Sequence, residues 1–402
     1  MIGKIQMPRN RHPVPALRSP GRIACLRLML TGLVLALGAC AETEPSKANS
    51  SGPPPEEPVL QVYNWFDYME PGVLQQFERE TGIKVVYDTF NQNDTLAAQI
   101  DKGQYDLMFP SARPWAARFV AEGKLQKLDK SRLEGLGRID AGVVLGLGEI
   151  DPGNHYLVPY LWGTTGLAID VAAVQSRLGA DADLDSWSLV FNPEHAAKLA
   201  DCGITIVDDM TDVIASALIA AHRPVASASD ADLAAAAAAL QAIRPYVSVL
   251  AADTYVDALA AGKACVVLGY SGDLRRAATQ ALATDRRVQY RIPKEGAIRW
   301  VDVMAIPNSA PHPGNAHQFI NYLLRPDVIA GISDQLHYAN PNVEAQALQS
   351  ASLLMDQAVY PNTEQASRLV DAPILPDAPR TQWKAVWVAF KDATATKAKS
   401  SD

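Results

Sequence analysis

The stretch that decides the fold is Pro58–Phe90, PVLQVYNWFDYMEPGVLQQFERETGIKVVYDTF. It predicts a strand that stops in the polar run 64–68, a helix that begins near Pro71, and a second strand, IKVVYDTF. In a parallel α/β sheet, ligands bind beyond the carboxyl ends of the strands. We therefore expect Trp65 and Asp67 to lie at a binding edge, an aromatic ring beside a carboxylate.

Outward from this unit, strands and helices continue to alternate, which predicts an α/β fold with a mostly parallel sheet. Two extended runs are longer than ordinary strands, YLVPYLWGTTGLAID at 156–170 and VQYRIPKEGAIRWVDVMAIP at 288–307. Runs of this length suit a chain that passes from one lobe to another and back. The sequence therefore predicts two discontinuous lobes with a ligand cleft between them. Lobe 1 is expected at 58–165 plus 303–338, and lobe 2 at 166–302 plus 339–395.

Residues 1–39 have the features of a secretory signal peptide. Residues 1–27 carry six basic residues and no acid, and the apolar run that follows ends in small residues. The last four positions, Leu37-Gly38-Ala39-Cys40, resemble a bacterial lipobox, which predicts lipidation of Cys40 and a periplasmic, membrane-anchored protein. An ordinary signal cleaved near Ala39 is the alternative, and Met7 is an alternative start.

The segments that flank the predicted lobes are polar. Residues 40–57 are rich in Pro, Ser and Glu and are expected to form a flexible tether. Ala41, directly after the lipidated position, favours sorting to an outer membrane. Residues 396–402 are expected to be a polar tail.

Charge and cysteine content narrow the class of protein. The formal net charge of −8 becomes more negative by six when the signal leaves, which disfavours nucleic-acid binding and suits a binder of cations. Of the four cysteines, Cys25 leaves with the signal and Cys40 belongs to the lipobox. In an oxidising compartment, Cys202 and Cys265 are expected to form a disulfide, with two buried thiols as the alternative.

Signatures of enzymes are scarce. The elbow-like run 269–273, GYSGD, fails the G-x-S-x-G spacing at Asp273, and Gly146-Leu147-Gly148 lacks the third glycine of a dinucleotide fingerprint. The histidines are scattered without metal-ligand spacing. We expect no catalysis, cofactor or metal.

What recurs is an aromatic residue close to an acid at a strand end or turn: Trp65 with Asp67, Tyr270 with Asp273, and Trp300 with Asp302. A buried cation needs a carboxylate partner, and an ammonium gains about 0.5–2 kcal/mol over an aromatic face. A linear diamine or polyamine therefore suits acids at intervals with aromatic walls between them. For each pair alone, a packed ring beside a solvated acid is the alternative.

From Leu60 to Asn342 the chain resembles the bacterial periplasmic spermidine/putrescine-binding proteins, the solute receptors of polyamine ABC transporters, and especially their putrescine-specific branch. The resemblance rests on colinear segments: YNW-DY at 63–68, FERETGIKVVYD at 77–88, DKSRL at 129–133, PYLWGTTG at 159–166, IPKEGA at 292–297 and NYLLRPDV at 321–328. It implies a two-lobed type II periplasmic-binding-protein fold with a hinged cleft, and a monomer that delivers a polyamine to an inner-membrane permease.

The resemblance also implies the pocket residues. The carboxylates that match its ammonium-binding acids are Asp67, Asp273 and Asp302, and Asp212 stands where close relatives have the equally charged Glu. The aromatic residues that match its walls are Trp65, Tyr270, Trp300 and Tyr338, and Ser111 matches its polar residue after the third strand. Cys202 and Cys265 match the disulfide pair of close relatives.

The chain departs from the family pattern at three positions. Tyr270 stands where the family has Trp, and Phe66 replaces a small hydroxyl residue beside Asp67. Arg113 borders the predicted pocket and could repel an ammonium or pair with one of its carboxylates; an arginine that points to solvent is the alternative. These departures leave two further functions open: a different, carboxylate-bearing solute on the same scaffold, or a ligand-sensing lipoprotein without a transport role.

Overall fold

A computed structural model describes residues 55–398 of the 402-residue chain. The predicted signal peptide, Cys40, most of the predicted tether and the last four residues lie outside this range. Within it, the strands are β1 (Val59–Trp65), β2 (Lys84–Phe90), β3 (Leu107–Met108), β4 (Val158–Asp170), β5 (Ile204–Val207), β6 (Val247–Ala251), β7 (Val266–Tyr270), β8 (Val288–Arg291), β9 (Ala297–Met304) and β10 (Leu369–Asp371).

The α-helices of the described range are α1 (Pro71–Thr81), α2 (Asn93–Ala97), α3 (Ala117–Ala121), α4 (Ala141–Leu147), α5 (Val171–Leu178), α6 (Ser188–Phe191), α7 (Pro193–Leu199), α8 (Met210–Ala220), α9 (Asp230–Ile243), α10 (Tyr255–Ala260), α11 (Ser271–Ala281), α12 (Pro313–Leu323), α13 (Pro326–Leu336), α14 (Ala351–Leu354), α15 (Thr363–Ala366) and α16 (Asp377–Ala398). A π-helical turn spans Ala112–Ala116, and 3₁₀ turns span Lys130–Arg132, Glu134–Arg138, Arg244–Tyr246, Leu282–Thr284 and Ala345–Leu348.

The opening strand–helix–strand unit forms as predicted. Helix α1 begins at Pro71, and the Glu70 carboxylate caps it by accepting hydrogen bonds from the backbone N–H groups of its second and third residues, each at 2.9 Å. Gly82 ends the helix in the left-handed region at φ 73°, where glycine meets no steric penalty. Val73 and Phe77 bury the inner face of the helix, and β1 pairs in parallel with β2.

Two sheets carry the fold. The smaller has the order β2-β1-β3 and is parallel throughout. The larger has the order β10-β9-β4-β7-β5-β6, with β8 also paired to β4, and β4 runs antiparallel to β7, β8 and β9. The expectation of a mostly parallel sheet is therefore right for the smaller sheet and wrong for the larger. The reason is that outgoing and returning segments lie side by side in the larger sheet, and alternation in sequence does not specify their direction.

The long segments β4 and β9 connect the two sheets. The first predicted extended run is one unbroken strand, β4, of 13 residues. The second is divided by a turn, closed by a hydrogen bond from Gly296 N to Pro293 O at 3.0 Å, into β8 and β9. Just beyond β9, Ala305 and Pro307 bridge to residues of the smaller-sheet region, Met108 and Leu125. The chain thus leaves the smaller sheet along β4 and returns along β9.

Both ends of the described chain differ from the expected boundaries. The Glu56 carboxylate accepts hydrogen bonds from the backbone N–H groups of Gly314 and Asn315 at 2.7 and 2.8 Å, so ordered packing begins inside the predicted tether. At the other end, α16 continues through the first residues of the predicted polar tail, because alanine-rich sequence favours a helix. The short strand β10 was not expected.

A disulfide joins Cys202 to Cys265, with their Cα atoms 5.5 Å apart and a sequence separation of 63. It lies just before two neighbouring parallel strands, β5 and β7. In the chain-entropy model, closing a loop of this length stabilises the fold by about 4 kcal/mol. Within residues 55–398, no helix is both long and apolar enough to cross a membrane.

Candidate ligand-binding site

A cavity of about 250 Å³ is lined by the polar turn after β1, the first turns of α8 and α11, and the middle of β9. Every residue predicted to bind the ligand lines it: Trp65, Asp67, Ser111, Asp212, Tyr270, Asp273, Trp300, Asp302 and Tyr338. The two predicted modifiers, Phe66 and Arg113, line it as well. The structure thus gathers these residues from distant parts of the chain, and their contact with a ligand stays a prediction.

The turn at the end of β1 presents Trp65 and Asp67 to the cavity. The buried Asn64 side chain accepts a hydrogen bond from Trp65 N at 2.8 Å and donates one to Tyr68 O at 3.4 Å, so it holds both ends of the turn. Asp67 has φ 51°, a left-handed conformation that Asp adopts more readily than most residues. Phe66 is 53% exposed, so its ring lies at the rim of the cavity.

Asp302 lies on β9, 5% exposed, and is held by a hydroxyl group. Ser111 donates a hydrogen bond from Oγ to the Asp302 carboxylate at 2.8 Å. Asn93 in turn fixes Ser111, because its amide donates to Ser111 Oγ and accepts from Ser111 N, both at 3.3 Å. Alternation along β9 places Trp300 and Asp302 on one face, and both line the cavity, in agreement with the sequence-based expectation.

Asp212 occupies the third position of α8 and is 6% exposed. Thr165 Oγ1, on β4, donates a hydrogen bond to its carboxylate at 2.9 Å. One turn earlier, Asp209 caps the helix by accepting a hydrogen bond from Asp212 N at 2.9 Å. Two carboxyl groups therefore meet at one helix N-terminus, where the helix dipole favours negative charge.

Asp273 holds the same position in α11 and has a richer set of partners. The Tyr255 hydroxyl donates a hydrogen bond to the Asp273 carboxylate, and the backbone N–H of Asp273 donates to the Tyr338 hydroxyl at 3.2 Å. The guanidinium of Arg276 lies 3.5 Å from Asp273 Oδ1 and 3.5 Å from Asp67 Oδ2. This carboxylate is thus already paired with a cation of the protein itself.

Aromatic rings in edge contact form a wall of the cavity. The ring centroids of Tyr270 and Trp300 are 5.7 Å apart at 81°, and those of Trp300 and Tyr338 are 5.3 Å apart at 68°. Tyr68 extends the series, 5.3 Å from Tyr338 at 72°. Such T-shaped pairs are a favoured aromatic geometry. Tyr270, smaller than the Trp of the family pattern, therefore still closes the wall against Trp300.

Burial perturbs the acids of the cavity. It raises the pKa of Asp302 to about 7, against the opposing effect of the Ser111 and Tyr68 hydroxyls. Burial, followed by the nearby charge of Asp209, raises the pKa of Asp212 well above its usual range. Burial also raises the pKa of Asp273, and Arg276 opposes this shift. In each case burial disfavours the ionised form of the carboxyl group.

Arg113 is engaged outside the acidic part of the cavity. Its guanidinium lies 2.8 Å from the exposed carboxylate of Glu149 and donates a hydrogen bond to Gly146 O at 3.3 Å. The side chain is only 14% exposed, so the expectation of an arginine that points to solvent is wrong. Among the contacts of the described chain, it forms no ion pair with a carboxylate of the cavity.

Asp209, Tyr255 and Arg276 are among the polar residues of the cavity that sequence reasoning missed. The sequence did contain a signal for Asp209, because this residue follows a buried strand and precedes a helix. Arg276 had one too, because i, i+3 spacing on a helix places it beside Asp273. Tyr255 had none, because nothing local connects the start of α10 to α11.

Gly272 allows the Tyr338 ring to lie against α11. A Cβ added at Gly272 would be 2.6 Å from three ring atoms of Tyr338, so the ring would have to move. We expect Gly272→Ala to lower the free energy of unfolding by about 1–3 kcal/mol, as overpacking does. Chemical denaturation measures this change. Gly137→Ala is the matched control, since its added Cβ meets no atom within 4 Å; equal stability of the two variants would contradict the packing argument.

The chemistry of the cavity is that of binding. Ser271, at the centre of the elbow-like run, is buried and accepts a hydrogen bond from Thr164 N at 3.3 Å. Within residues 55–398, no group of three or more His, Cys, Asp or Glu side chains is arranged to hold a metal ion. Paired acids and aromatic walls are features of a site that binds a small solute.

The fold and the cavity together define a two-lobed solute-binding protein. The chain belongs to the family of bacterial extracellular solute-binding proteins, whose model matches residues 72–397. It is 37% identical over 337 residues to the putrescine-binding periplasmic protein SpuD of Pseudomonas aeruginosa, which covers 83% of this chain and 92% of that protein. It is 38% identical over 319 residues to the putrescine-binding periplasmic protein PotF of Escherichia coli, covering 78% of this chain and 86% of that protein.

Solved structures agree with this assignment. A putative spermidine/putrescine ABC transporter from Listeria monocytogenes matches with a TM-score of 0.73 and 28% identity, covering 83% of this chain and 99% of that one. The spermidine/putrescine substrate-binding protein PotD of Streptococcus pneumoniae matches with a TM-score of 0.69 and 25% identity, covering 84% of this chain and 99% of that one. The predicted family and the type II periplasmic-binding-protein fold are therefore confirmed.

Proposed function

We propose that this protein captures a polyamine of the putrescine or spermidine type in the cleft and delivers it to an ABC transporter permease. The names of its relatives support this function, since two of them, at 37% and 38% identity, are putrescine-binding periplasmic proteins. Because those relatives are binding proteins, we infer that this chain binds its solute without transforming it.

The observation that carries the proposal is a pair of buried carboxyl groups without a cation. Asp212 and Asp302 are 6% and 5% exposed, and their side-chain partners are the hydroxyl groups of Thr165 and Ser111. Within the part of the chain that the structure describes, no Lys, Arg or His forms an ion pair with either. Burying an uncompensated carboxylate is costly, so a cationic ligand supplies what the protein lacks.

The remaining lining suits the rest of a linear amine. The rings of Trp65, Tyr270, Trp300 and Tyr338 offer apolar faces to methylene groups. An ammonium next to such a ring also gains cation–π attraction. In this arrangement, ligand contacts on both sides of the cleft stabilise the closed form over the open one.

The placement of the protein in the cell follows from the sequence and is part of the proposal. Export by a signal peptide and lipidation of Cys40 would keep a monomeric receptor at a membrane surface. We place lobe 1 at 58–165 plus 303–338 and lobe 2 at 166–302 plus 339–395, with β4 and β9 between them. The smaller sheet and the strands β5–β8 fall on opposite sides of this division.

The carboxylate-bearing solute considered above depended on Arg113. Since the guanidinium of Arg113 is paired with Glu149, it is not available to orient a ligand carboxylate in this structure. The acids of the cavity also outnumber its arginines, seven to two. Cations are therefore favoured over anions.

Isothermal titration calorimetry with putrescine, cadaverine, spermidine and spermine tests the proposal. We expect saturable binding and a thermal shift with at least one of them, because each carries two or more ammonium groups. The uncharged analogue 1,4-butanediol serves as the control and is expected to give neither. Absence of heat and of thermal shift with all four amines would overturn the amine function.

A further inference from the structure

Arg276 lies inside the cleft, between two acids that a ligand ammonium would otherwise meet. Its position three residues after Asp273 places both side chains on one face of α11. One guanidinium nitrogen, Nη2, is 3.5 Å from Asp273 Oδ1 and 3.5 Å from Asp67 Oδ2. Asp67 follows β1 in the smaller sheet, whereas Asp273 follows β7 in the larger. Arg276 therefore connects the two walls of the cavity.

The four predicted ligand carboxylates thus form two unlike pairs. Asp212 and Asp302 are buried, with hydroxyl groups as their side-chain partners. Asp67 and Asp273 share the charge of Arg276, and Asp67 is more than half exposed. The first pair has no cation of the described chain beside it, and a ligand ammonium would favour its ionised form. The second pair has much of its charge compensated before any ligand arrives.

An ammonium that approached Asp67 and Asp273 would meet the guanidinium at short range. It would have to displace Arg276 or remain beside a like charge, and both outcomes oppose binding. Arg276 is held on a helix and is only 25% exposed, so displacement would break two ion pairs. A second ammonium on the ligand therefore gains little at this end of the cleft.

We propose that Arg276 is a specificity-determining residue, a built-in cation that occupies the Asp67–Asp273 pair and limits the benefit of a second ligand ammonium. This inference rests on the proposed amine-binding function. According to this inference, the firmly held ammonium lies at Asp212 and Asp302. Arg276 lowers the preference of the cleft for a diamine over a monoamine of the same length.

Putrescine and n-butylamine test this, because they share a four-carbon chain and differ by one ammonium. In the unmodified protein, we expect putrescine to bind less than ~10-fold more tightly than n-butylamine in calorimetric titrations. In Arg276→Gln, we expect the affinity for putrescine to rise at least ~10-fold and that for n-butylamine to change less than ~3-fold. Arg287→Gln removes one positive charge from an exposed position outside the cavity and is the matched control.

The outcomes separate this inference from the proposed function. If both amines bind and Arg276→Gln changes them by the same factor, the inference is wrong and amine binding stands. If the unmodified protein already prefers putrescine by ~10-fold or more, the inference is also wrong, and this measurement does not depend on the folding of a variant. If neither protein binds either amine, the inference is wrong, whereas the amine function is overturned only if cadaverine, spermidine and spermine also fail to bind.

Discussion

Asp302→Asn is expected to weaken putrescine binding by about 30- to 5,000-fold and, at the same time, to stabilise the unliganded protein. The loss of affinity follows because a buried ammonium left without its carboxylate costs about 2–5 kcal/mol. The Ser111 hydroxyl that donates to Asp302 can donate equally to the amide oxygen of asparagine, so the local structure is retained.

The gain in stability follows from the same burial. The pKa of Asp302 is raised to about 7, so the folded protein keeps a proton that the unfolded chain has already released. Stability from this group is therefore present below its unfolded pKa and is lost as pH rises towards 7. Once Asp302 is ionised, the cost is about 4 kcal/mol at most. Asparagine has no charge to bury, so the variant avoids this cost.

Thermal unfolding of the ligand-free protein at about pH 5 and pH 8, with calorimetric titration of putrescine, measures both effects. Asp302→Asn should exceed the unmodified protein in melting temperature by more at pH 8 than at pH 5. Asp181→Asn, at an exposed position that does not line the cavity, is the control. A variant that binds putrescine as tightly as the unmodified protein would remove Asp302 from the site.

Amine binding is expected to release protons and to weaken as the solution becomes acidic. Burial raises the pKa of Asp302 to about 7, so its carboxyl group is about half protonated at neutral pH in the unliganded protein, and burial raises the pKa of Asp212 well above its usual range. A bound ammonium favours their ionised forms, so capture of the ligand expels protons. Asp302 alone, with its pKa of about 7, should weaken binding ~20-fold between about pH 7.5 and pH 5.5.

Titration in two buffers of equal pH but different ionisation enthalpy, phosphate and Tris, counts the released protons. The difference between the observed heats, divided by the difference between the ionisation enthalpies of the two buffers, gives the number of protons released. At pH 7 this number should be a fraction of a proton or more. The difference should shrink in Asp302→Asn, which has no proton to give from this position. Equal heats in the two buffers, with an affinity that does not change between pH 5.5 and 7.5, would contradict the proton exchange.

Local signals in the sequence were sufficient for the individual elements. Pro71 and Gly82 mark the ends of α1 because proline suits a first turn and glycine suits the left-handed residue that follows a helix. Pro326 likewise begins α13, as its position in the sequence indicated. The direction of β4 within the larger sheet had no such signal, because it depends on which distant strands become neighbours.

The site also has residues that local sequence signals indicated and contacts that they did not indicate. Acids and rings at strand ends identified Asp67, Asp273 and Asp302, and the resemblance supplied Asp212. The partner of Asp67 was not foreseeable, since Arg276 reaches Asp67 only after the two walls of the cleft meet. For the same reason the pairing of Arg113 with a carboxylate of the cavity was not met, because its partner is Glu149, 36 residues away in sequence.

Strand β9 joins two roles that many receptors keep apart. It carries Trp300 and Asp302 into the cavity, and it is also one of the two strands that connect the sheets. The residues proposed to recognise the solute and a connection between the two sheets therefore lie in the same eight residues. A substitution that changes the twist of this strand is expected to alter affinity even if every proposed binding residue is kept. Evolution can in this way change the affinity of the receptor for its solute while the set of binding residues stays the same.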